Sequence, residues 1–129
     1  MTTGYNVLLR NAQLDAITTF AGAGAKCRIY DGVRPATGGA ATVMLAEFTL
    51  GTPHAPAAVS GVLSPALPAN VNGTVAGTAT WYRIVKADGT THVIDGSAGT
   101  TGTDMILNTT AITTGLVSIT AWTVTRGNP

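Results

Sequence analysis

The spacing of apolar and polar positions changes along the chain, and the change falls near residue 25. Between residues 8 and 20 (LLRNAQLDAITTF), apolar side chains recur every three or four positions, which predicts one short amphipathic helix. The stripe expected to dock contains Leu9, Ala12, Gln13, Ala16, Ile17 and Phe20. The polar positions expected to point elsewhere are Arg10, Asn11, Asp15 and Thr18. The glycines of AGAGA at 21–25 permit a left-handed backbone and should end the helix.

After residue 25, short runs typical of β-strands alternate with Gly, Pro, Asn and Asp turns. Eight segments are predicted as strands: 26–30, 42–50, 59–63, 73–76, 78–86, 91–95, 104–107 and 116–125. The clearest hairpin is TWYRIVK-ADGT-THVID, because Asp88-Gly89 supplies the positive-φ turn that matches the twist of paired strands.

These elements predict a mainly β chain with one short N-terminal helix and about eight short antiparallel strands. A sandwich, a jelly roll and a small barrel all fit such a pattern. We expect a single domain over residues 1–129, with the helix and its Gly/Ala stop in 1–25 and a jelly-roll-like β-sandwich in 26–126.

Four prolines interrupt the segment 53–68: Pro53, Pro56, Pro65 and Pro68. Because proline cannot donate to a strand ladder, strands in this segment should be broken or lie at a sheet edge. Two interpretations stay open, an extended arm laid over a neighbouring molecule and an ordinary surface loop.

Charged residues make up only 10% of the 129 residues, against about 25% in an average soluble domain. A surface with so few charges predicts that other copies or a partner cover part of it. The formal net charge is +1, and the cations stand singly along the chain, which argues against nucleic acid as a partner. No run approaches the roughly 18 apolar residues of a membrane-spanning helix, so no membrane is expected as a partner.

Residues that could carry catalysis or hold a metal are few. His54 lies between two prolines and is predicted in a loop, and His92 is predicted on a solvated strand face. No G-x-S-x-G sequence occurs, and two histidines and one cysteine lack the spacing of a zinc site. The calcium ligands to consider are Asp88, Asp95 and Asp104, of which two precede glycine and are explained by turns. We therefore expect no catalytic, cofactor or metal site.

The single Cys27 excludes an internal disulfide, and the start MTTGYNVLLR lacks the features of a secretion signal. We expect synthesis in a reducing cytoplasm.

Aromatic residues are scarce, so each one is informative. The candidate core or interface residues are Leu9, Ile17, Phe20, Trp81, Tyr82 and Trp122. Packing between two sheets is the expected role of the three aromatic residues on predicted strands. Exposed tryptophans could instead stack on sugar rings, which is the alternative of a carbohydrate-binding module.

Several segments resemble a family of small virion proteins from tailed bacteriophages. They are LLRNAQLDAI, AGAGAKCRIYDGVRPAT, LAEFTL and GTATWYRIVKADGTTHVIDGSAGTTGTDMILNTTAITTGLVSIT. The resemblance covers residues 8–125, and its motifs are strand and turn patterns. Some members are similar to capsid cement or decoration proteins, which are jelly-roll-like sandwiches that bridge subunits on the outside of the head. Others are known only as phage structural proteins, so a tail or fibre role stays open.

The resemblance implies a non-enzymatic capsid cement or decoration protein that stabilises contacts between major capsid protein subunits. Its expected location is the outer surface of the virion capsid, after synthesis in the host cytoplasm. The expected partners are the major capsid protein and further copies of the chain, as a dimer rather than a trimer. The α-helix or the Pro-rich segment is the candidate contact to a neighbour.

Overall fold

The computed structural model describes residues 4–126, so the two ends of the predicted domain, 1–3 and 127–129, lie outside the described residues. Helix α1 spans Val7–Ala21, one residue beyond the prediction at each end. It begins at Asn6, whose Oδ1 accepts a hydrogen bond from the Leu8 N–H at 2.8 Å. It ends at Gly22, where φ is 71° and the N–H donates to the Thr18 carbonyl. The predicted capping chemistry is confirmed at this end.

Twelve short strands follow within the described residues. They are β1 Lys26–Tyr30, β2 Met44–Thr49, β3 Val62–Leu63, β4 Val71–Asn72, β5 Gly77–Thr78, β6 Trp81–Val85, β7 His92–Gly99, β8 Met105–Leu107, β9 Ala111–Ile112, β10 Leu116–Val117, β11 Ile119–Trp122 and β12 Val124–Thr125. The predicted hairpin is present as β6 and β7, with Gly89 at a φ of 76°.

Six strands form one curled sheet in the order β11-β8-β7-β6-β1-β2. Three two-stranded sheets accompany it, β10 with β4, β12 with β3 and β5 with β9. The chain is therefore mainly β with one short helix, as predicted.

The pairing is antiparallel except between β7 and β8, which run parallel, so the expectation of antiparallel strands throughout was wrong. Parallel strands usually need a connection of a dozen residues or more. Here residues 100–104 are enough, because Asp104 Oδ2 accepts hydrogen bonds from both the N–H and the hydroxyl of Ser97. The Asp104 N–H donates back to Ser97 Oγ at 3.0 Å. These reciprocal hydrogen bonds between Ser97 and Asp104 stabilise the short connection from β7 to β8.

Three strand predictions need correction. Segment 73–76 contains no strand, because its backbone bonds to separate partners: the Gly73 N–H donates to Gly115 and the Thr74 N–H donates to Leu45. Segment 116–125 is divided into β10, β11 and β12 rather than forming one strand. Segment 59–63 keeps only β3 and a single bridge between Val59 and Val62.

The main core lies on the inner face of the curled sheet. Its members include Ile29, Leu45, Phe48, Tyr82, Met105 and Trp122. A second cluster joins the helix to the Pro-rich segment through Leu14, Ala55, Ala58 and Leu63, with Ile17 and Val124 packed against it.

The predicted orientation of the helix was wrong. Leu14 and Ala21 are buried, whereas Leu9 and Phe20 of the predicted docking stripe are 48% and 51% exposed. Ile17 lies at the boundary and is half-buried.

Polar residues expected to point away from the protein instead fasten the helix to segment 53–68. Asn11 Oδ1 accepts from the Gly61 N–H at 2.8 Å, and Asp15 Oδ1 accepts from the Ala58 N–H at 2.7 Å. The segment covers this face without strand partners for those N–H groups, so side-chain acceptors satisfy them. It is thus folded onto its own helix, and the interpretation as an extended arm was wrong.

Candidate functional site

The three aromatic candidates on strands are all buried. Trp81 stacks on Tyr30 with ring centroids 4.4 Å apart, and its Nε1 donates to the Asp31 carbonyl at 2.9 Å. On the other face of the sheet, Tyr82 and Trp122 meet edge to face at 5.5 Å, and Trp122 Nε1 donates to Tyr82 Oη at 3.1 Å. Burial raises the pKa of Tyr82, so the phenol stays neutral, and its oxygen accepts the bond from Trp122.

Trp81 is 1% exposed and Trp122 is 3% exposed. A sugar ring stacks only on an aromatic face that it can reach. The carbohydrate-binding alternative therefore has no stacking platform on the two residues that suggested it.

The outward face of α1 carries an uncharged apolar strip formed by Leu9, Ala12, Ala16 and Phe20, which we call the outer helix stripe. All four residues are exposed. Lys86 Nζ lies 4.1 Å from the centroid of the Phe20 ring and is the charged group nearest this end of the stripe among the described contacts. The carboxylate of the helix, Asp15, points to the opposite face, where it accepts from Ala58.

Charged residues gather on the outer face of the sheet. The strand registers align Glu47 with Arg28, Arg28 with Arg83 and Arg83 with Asp95, which makes one row across β2, β1, β6 and β7. Arg28 Nε donates to Glu47 Oε2 at 2.7 Å, and Arg83 Nε donates to Asp95 Oδ1 at 2.7 Å. Cations that stand singly in the sequence are therefore brought together in space, with acids beside them.

Loop 31–43 covers the Arg83 end of this charged row. Arg83 Nη2 donates to the Gly39 carbonyl at 2.8 Å and to Asp95 Oδ2 at 3.0 Å. Asp95 is largely buried, which raises the pKa of its carboxyl, but the hydrogen bonds and charge of Arg83 lower it more, and the net pKa is depressed. Asp95 is therefore a carboxylate that holds Arg83, and Arg83 holds the loop.

A cleft of about 400 Å³ opens between this loop and β7. Residues 34–37 line one side, and His92, Ile94 and Asp95 line the other. His92 Nε2 lies 3.2 Å from Asp95 Oδ1. His92 was predicted on a solvated face, and its side chain is in fact about three-quarters covered.

The remaining candidate side chains have structural explanations. His54, predicted in a loop, is buried and stacks on Trp122 with ring centroids 6.1 Å apart. Cys27 is buried in the main core, and burial raises the pKa of its thiol. Asp88 Oδ1 accepts from the N–H groups of Thr90 and Thr91, and these bonds together with the Thr91 hydroxyl lower the pKa of its carboxyl.

Within residues 4–126, no group of three or more His, Cys, Asp or Glu side chains is placed to hold a metal ion. The described part of the chain also contains no helix long and apolar enough to cross a membrane.

Comparison with protein-family models, with curated proteins and with solved structures gives no match for this chain. The family resemblance therefore depends on the sequence motifs alone.

Sequence reasoning missed the charged row and the burial of His54. Part of the row could have been predicted, because a hairpin that turns at Asp88-Gly89 brings Arg83 close to Asp95. The alignment of Arg28 with Arg83 could not have been predicted from local sequence, because it depends on long-range pairing of β1 with β6. The contact of His54 with Trp122 likewise joins distant parts of the chain.

Proposed function

We propose that this chain is a non-enzymatic capsid cement or decoration protein of a tailed bacteriophage. In this proposal it is made in the host cytoplasm, binds the outside of the head and stabilises contacts between major capsid protein subunits. It associates with further copies as a dimer, and neither nucleic acid nor a membrane is a partner. In this proposal the curled sheet and the small sheets beside it form the jelly-roll-like sandwich that the resemblance implies.

The outer helix stripe is the observation that supports this proposal most directly. Exposed apolar surface costs free energy in water, about 25 cal/mol for each Å², and covering it with a partner recovers that free energy. Leu9 and Phe20 stand at the two ends of the stripe, and the small Ala12 and Ala16 between them let another surface approach closely. The stripe therefore suits a shell surface that is itself apolar and that carries no cation beside Lys86 at the Phe20 end.

The size of the stripe favours many weak contacts over one strong contact. An ordinary interface buries about 800 Å² on each partner, and one face of a helix roughly 22 Å long offers less than that. Sites linked within one particle gain avidity without new contacts, so a modest affinity per copy is enough on a shell.

The way in which α1 is held also supports a bridging role. Asn11 and Asp15 fasten the helix to segment 53–68, and Leu14 anchors it in the second cluster. The outer helix stripe is thus presented in a fixed direction by a sheet scaffold. A fixed presentation lowers the entropy lost on binding.

The test compares virions with and without the protein. Particles that lack it should release DNA at a lower temperature and under milder osmotic stress than complete particles, and purified protein should restore both thresholds. Equal thresholds would overturn the cement function. A cryo-EM map that places the protein on the tail would assign it to the tail or fibre instead.

A matched pair of variants tests the surface. The double substitution Leu9→Asp with Phe20→Asp puts charges on the outer helix stripe and should abolish binding to shells that lack the protein. Val33→Asp changes an apolar residue in loop 31–43 that is more exposed than Leu9 or Phe20, and this variant should bind as the unmodified chain does. Circular dichroism of both proteins checks folding, and full binding by the double variant would exclude the stripe as the contact.

A further inference from the structure

The cleft between loop 31–43 and β7 has an unbalanced charge. Asp95 forms part of its wall, but both carboxylate oxygens already accept hydrogen bonds from Arg83, at 2.7 and 3.0 Å. The charge of Asp95 is therefore matched by Arg83, and His92 Nε2 is a further neighbour, 3.2 Å from Asp95 Oδ1.

Arg34 supplies the positive charge that is not matched. It lines the cleft and is exposed, and its guanidinium forms no hydrogen bond or ion pair in the part of the chain that the structure describes. The other arginines all donate from their side chains: Arg10 to Arg126, Arg28 to Glu47 and Gly89, Arg83 to Asp95 and Gly39, and Arg126 to Gln13.

The rest of the lining indicates the shape of a ligand. Thr37 and His92 place polar side chains in the wall, whereas Pro35, Ala36 and Ile94 make it apolar. A single free guanidinium matches the charge and the planar geometry of one carboxylate, which accepts two parallel hydrogen bonds from it. An apolar wall beside it accommodates the methylene groups that carry the carboxylate.

We propose that this cleft, the Arg34 cleft, binds a carboxylate on a short aliphatic stem, with Arg34 as the charged contact and Thr37 and His92 as polar contacts. Both a free aliphatic acid and the side chain of a glutamate in another protein present this chemistry. The inference does not depend on the capsid function, because it uses only the residues that line the cleft.

Isotope-labelled protein titrated with two probes tests the proposal by NMR. The probes are propionate, which represents a free acid, and N-acetyl-glutamate amide, which represents a glutamate side chain in a protein. Both should give saturable shifts at the amides of Arg34, Thr37 and Ile94, with a Kd on the order of 1 mM, typical of one charged contact with a little apolar burial. Tighter binding of the glutamate probe would assign the cleft to protein side chains, and tighter binding of propionate would assign it to free acids.

Three variants make the test specific. Arg34→Gln should weaken the binding of both probes at least tenfold. Arg34→Lys keeps the charge but loses the planar guanidinium, so it should weaken their binding less. Lys86→Gln removes a cation outside the cleft and should leave binding unchanged. Unshifted resonances elsewhere in the spectrum of Arg34→Gln show that it is folded.

Four results would overturn the proposal. They are the absence of saturable shifts with either probe, unchanged binding by Arg34→Gln, an equal loss in Lys86→Gln, and, in a control titration with inorganic phosphate, tighter binding of phosphate than of either carboxylate.

Discussion

Arg28 and Arg83 lie directly opposite each other on β1 and β6. Two like charges in this position destabilise a sheet. Each guanidinium is instead ion-paired with an acid on the strand at its far side, Arg28 with Glu47 on β2 and Arg83 with Asp95 on β7. The row acid, base, base, acid thus places every cation beside an anion, and it lets two arginines occupy neighbouring strands.

The two ends of this row differ in exposure. The side chain of Asp95 is 7% exposed, whereas that of Glu47 is 30% exposed. Water screens an exposed ion pair, and it cannot replace a lost partner at a buried one. The same chemical change should therefore have different effects at the two ends.

Asp95→Asn should lower the free energy of unfolding by about 3–5 kcal/mol, because it leaves the buried guanidinium of Arg83 without a counter-charge. Glu47→Gln, the matched change at the exposed end, should cost less than about 1 kcal/mol. Urea unfolding followed by tryptophan fluorescence measures both values. Equal costs for the two variants would contradict the importance of burial in this row.

Asp95 should also contribute to acid unfolding. Its pKa in the folded state is depressed below the ordinary value of 3.8, so the unfolded state binds a proton first as the pH falls. The stability from this group is fully present above pH 3.8 and is lost as the pH falls below that value. Urea midpoints between neutral pH and about pH 3 should therefore fall more steeply in the unmodified chain than in Asp95→Asn. If the urea midpoints of the two proteins fell equally with pH, Asp95 would make no contribution to acid unfolding.

His54 should make stability depend on pH in a higher range. Burial lowers the pKa of the imidazole, and its Nδ1 has no hydrogen-bond partner among the described residues. The unfolded state takes up a proton near the ordinary value of 6.5, whereas the folded state resists it. Stability is therefore complete above pH 6.5 and decreases below it, by up to about 1.4 kcal/mol per pH unit, until the folded pKa is passed.

Urea midpoints at about pH 8 and about pH 5 measure this dependence. His54→Gln should show a smaller difference between the two conditions than the unmodified chain. His92→Gln keeps the buried imidazole of His54, so this variant should still lose stability on acidification. The same difference in the unmodified chain and in His54→Gln would contradict the prediction.

Local pattern was enough for some of the fold and insufficient for the rest. The helix limits and the hairpin at Asp88-Gly89 follow from capping and turn residues that act over a few positions. The orientation of the helix did not follow, because Asn11 and Asp15 find their donors in Gly61 and Ala58, far along the chain. A polar residue that bonds to a packed loop has the same sequence signature as one that faces water.

The candidate sites were also hard to predict, because they depend on contacts between residues that are distant in sequence. Trp81 and Tyr82 could be placed on one strand from sequence, but the covering of Trp81 by Tyr30 needs the register of β1 against β6. The Arg34 cleft depends on where loop 31–43 settles over β7, and the contacts that hold it there come from Arg83. No spacing along the chain indicates that contact.

The corrected helix orientation is testable with two leucines on the same element. Leu14→Ala should lower the free energy of unfolding by about 2–5 kcal/mol, because Leu14 is buried against Ala58 and Leu63. Leu8→Ala removes the same atoms from an exposed position and should change stability by less than about 0.5 kcal/mol. Urea unfolding measures both values. A larger loss of stability for Leu8→Ala than for Leu14→Ala would contradict the helix orientation described above.

Gly96→Ala should disrupt the main core at the contact between Tyr82 and Trp122. Gly96 lies opposite Tyr82 in the β6–β7 pair, and an added Cβ would come within 2.5 Å of the ring carbon Cε1 and 2.6 Å of the phenol oxygen. The ring is buried and its oxygen accepts from Trp122, so it has no free space in which to move. We expect a loss of about 1–3 kcal/mol and a weaker near-ultraviolet circular dichroism signal, because overpacking shifts the aromatic pair.

Gly51→Ala is the matched control for this substitution. A Cβ at Gly51 would meet the Pro53 carbonyl at 3.7 Å, which is an ordinary contact, and Gly51 does not have a positive φ. Its stability should stay within about 0.5 kcal/mol of the unmodified chain, with the aromatic signal unchanged. If the stability and the aromatic signal of Gly96→Ala matched those of this control, the close packing of Tyr82 on the β7 backbone would be contradicted. The contact between Tyr82 and Trp122 in the main core would then not depend on a glycine at position 96.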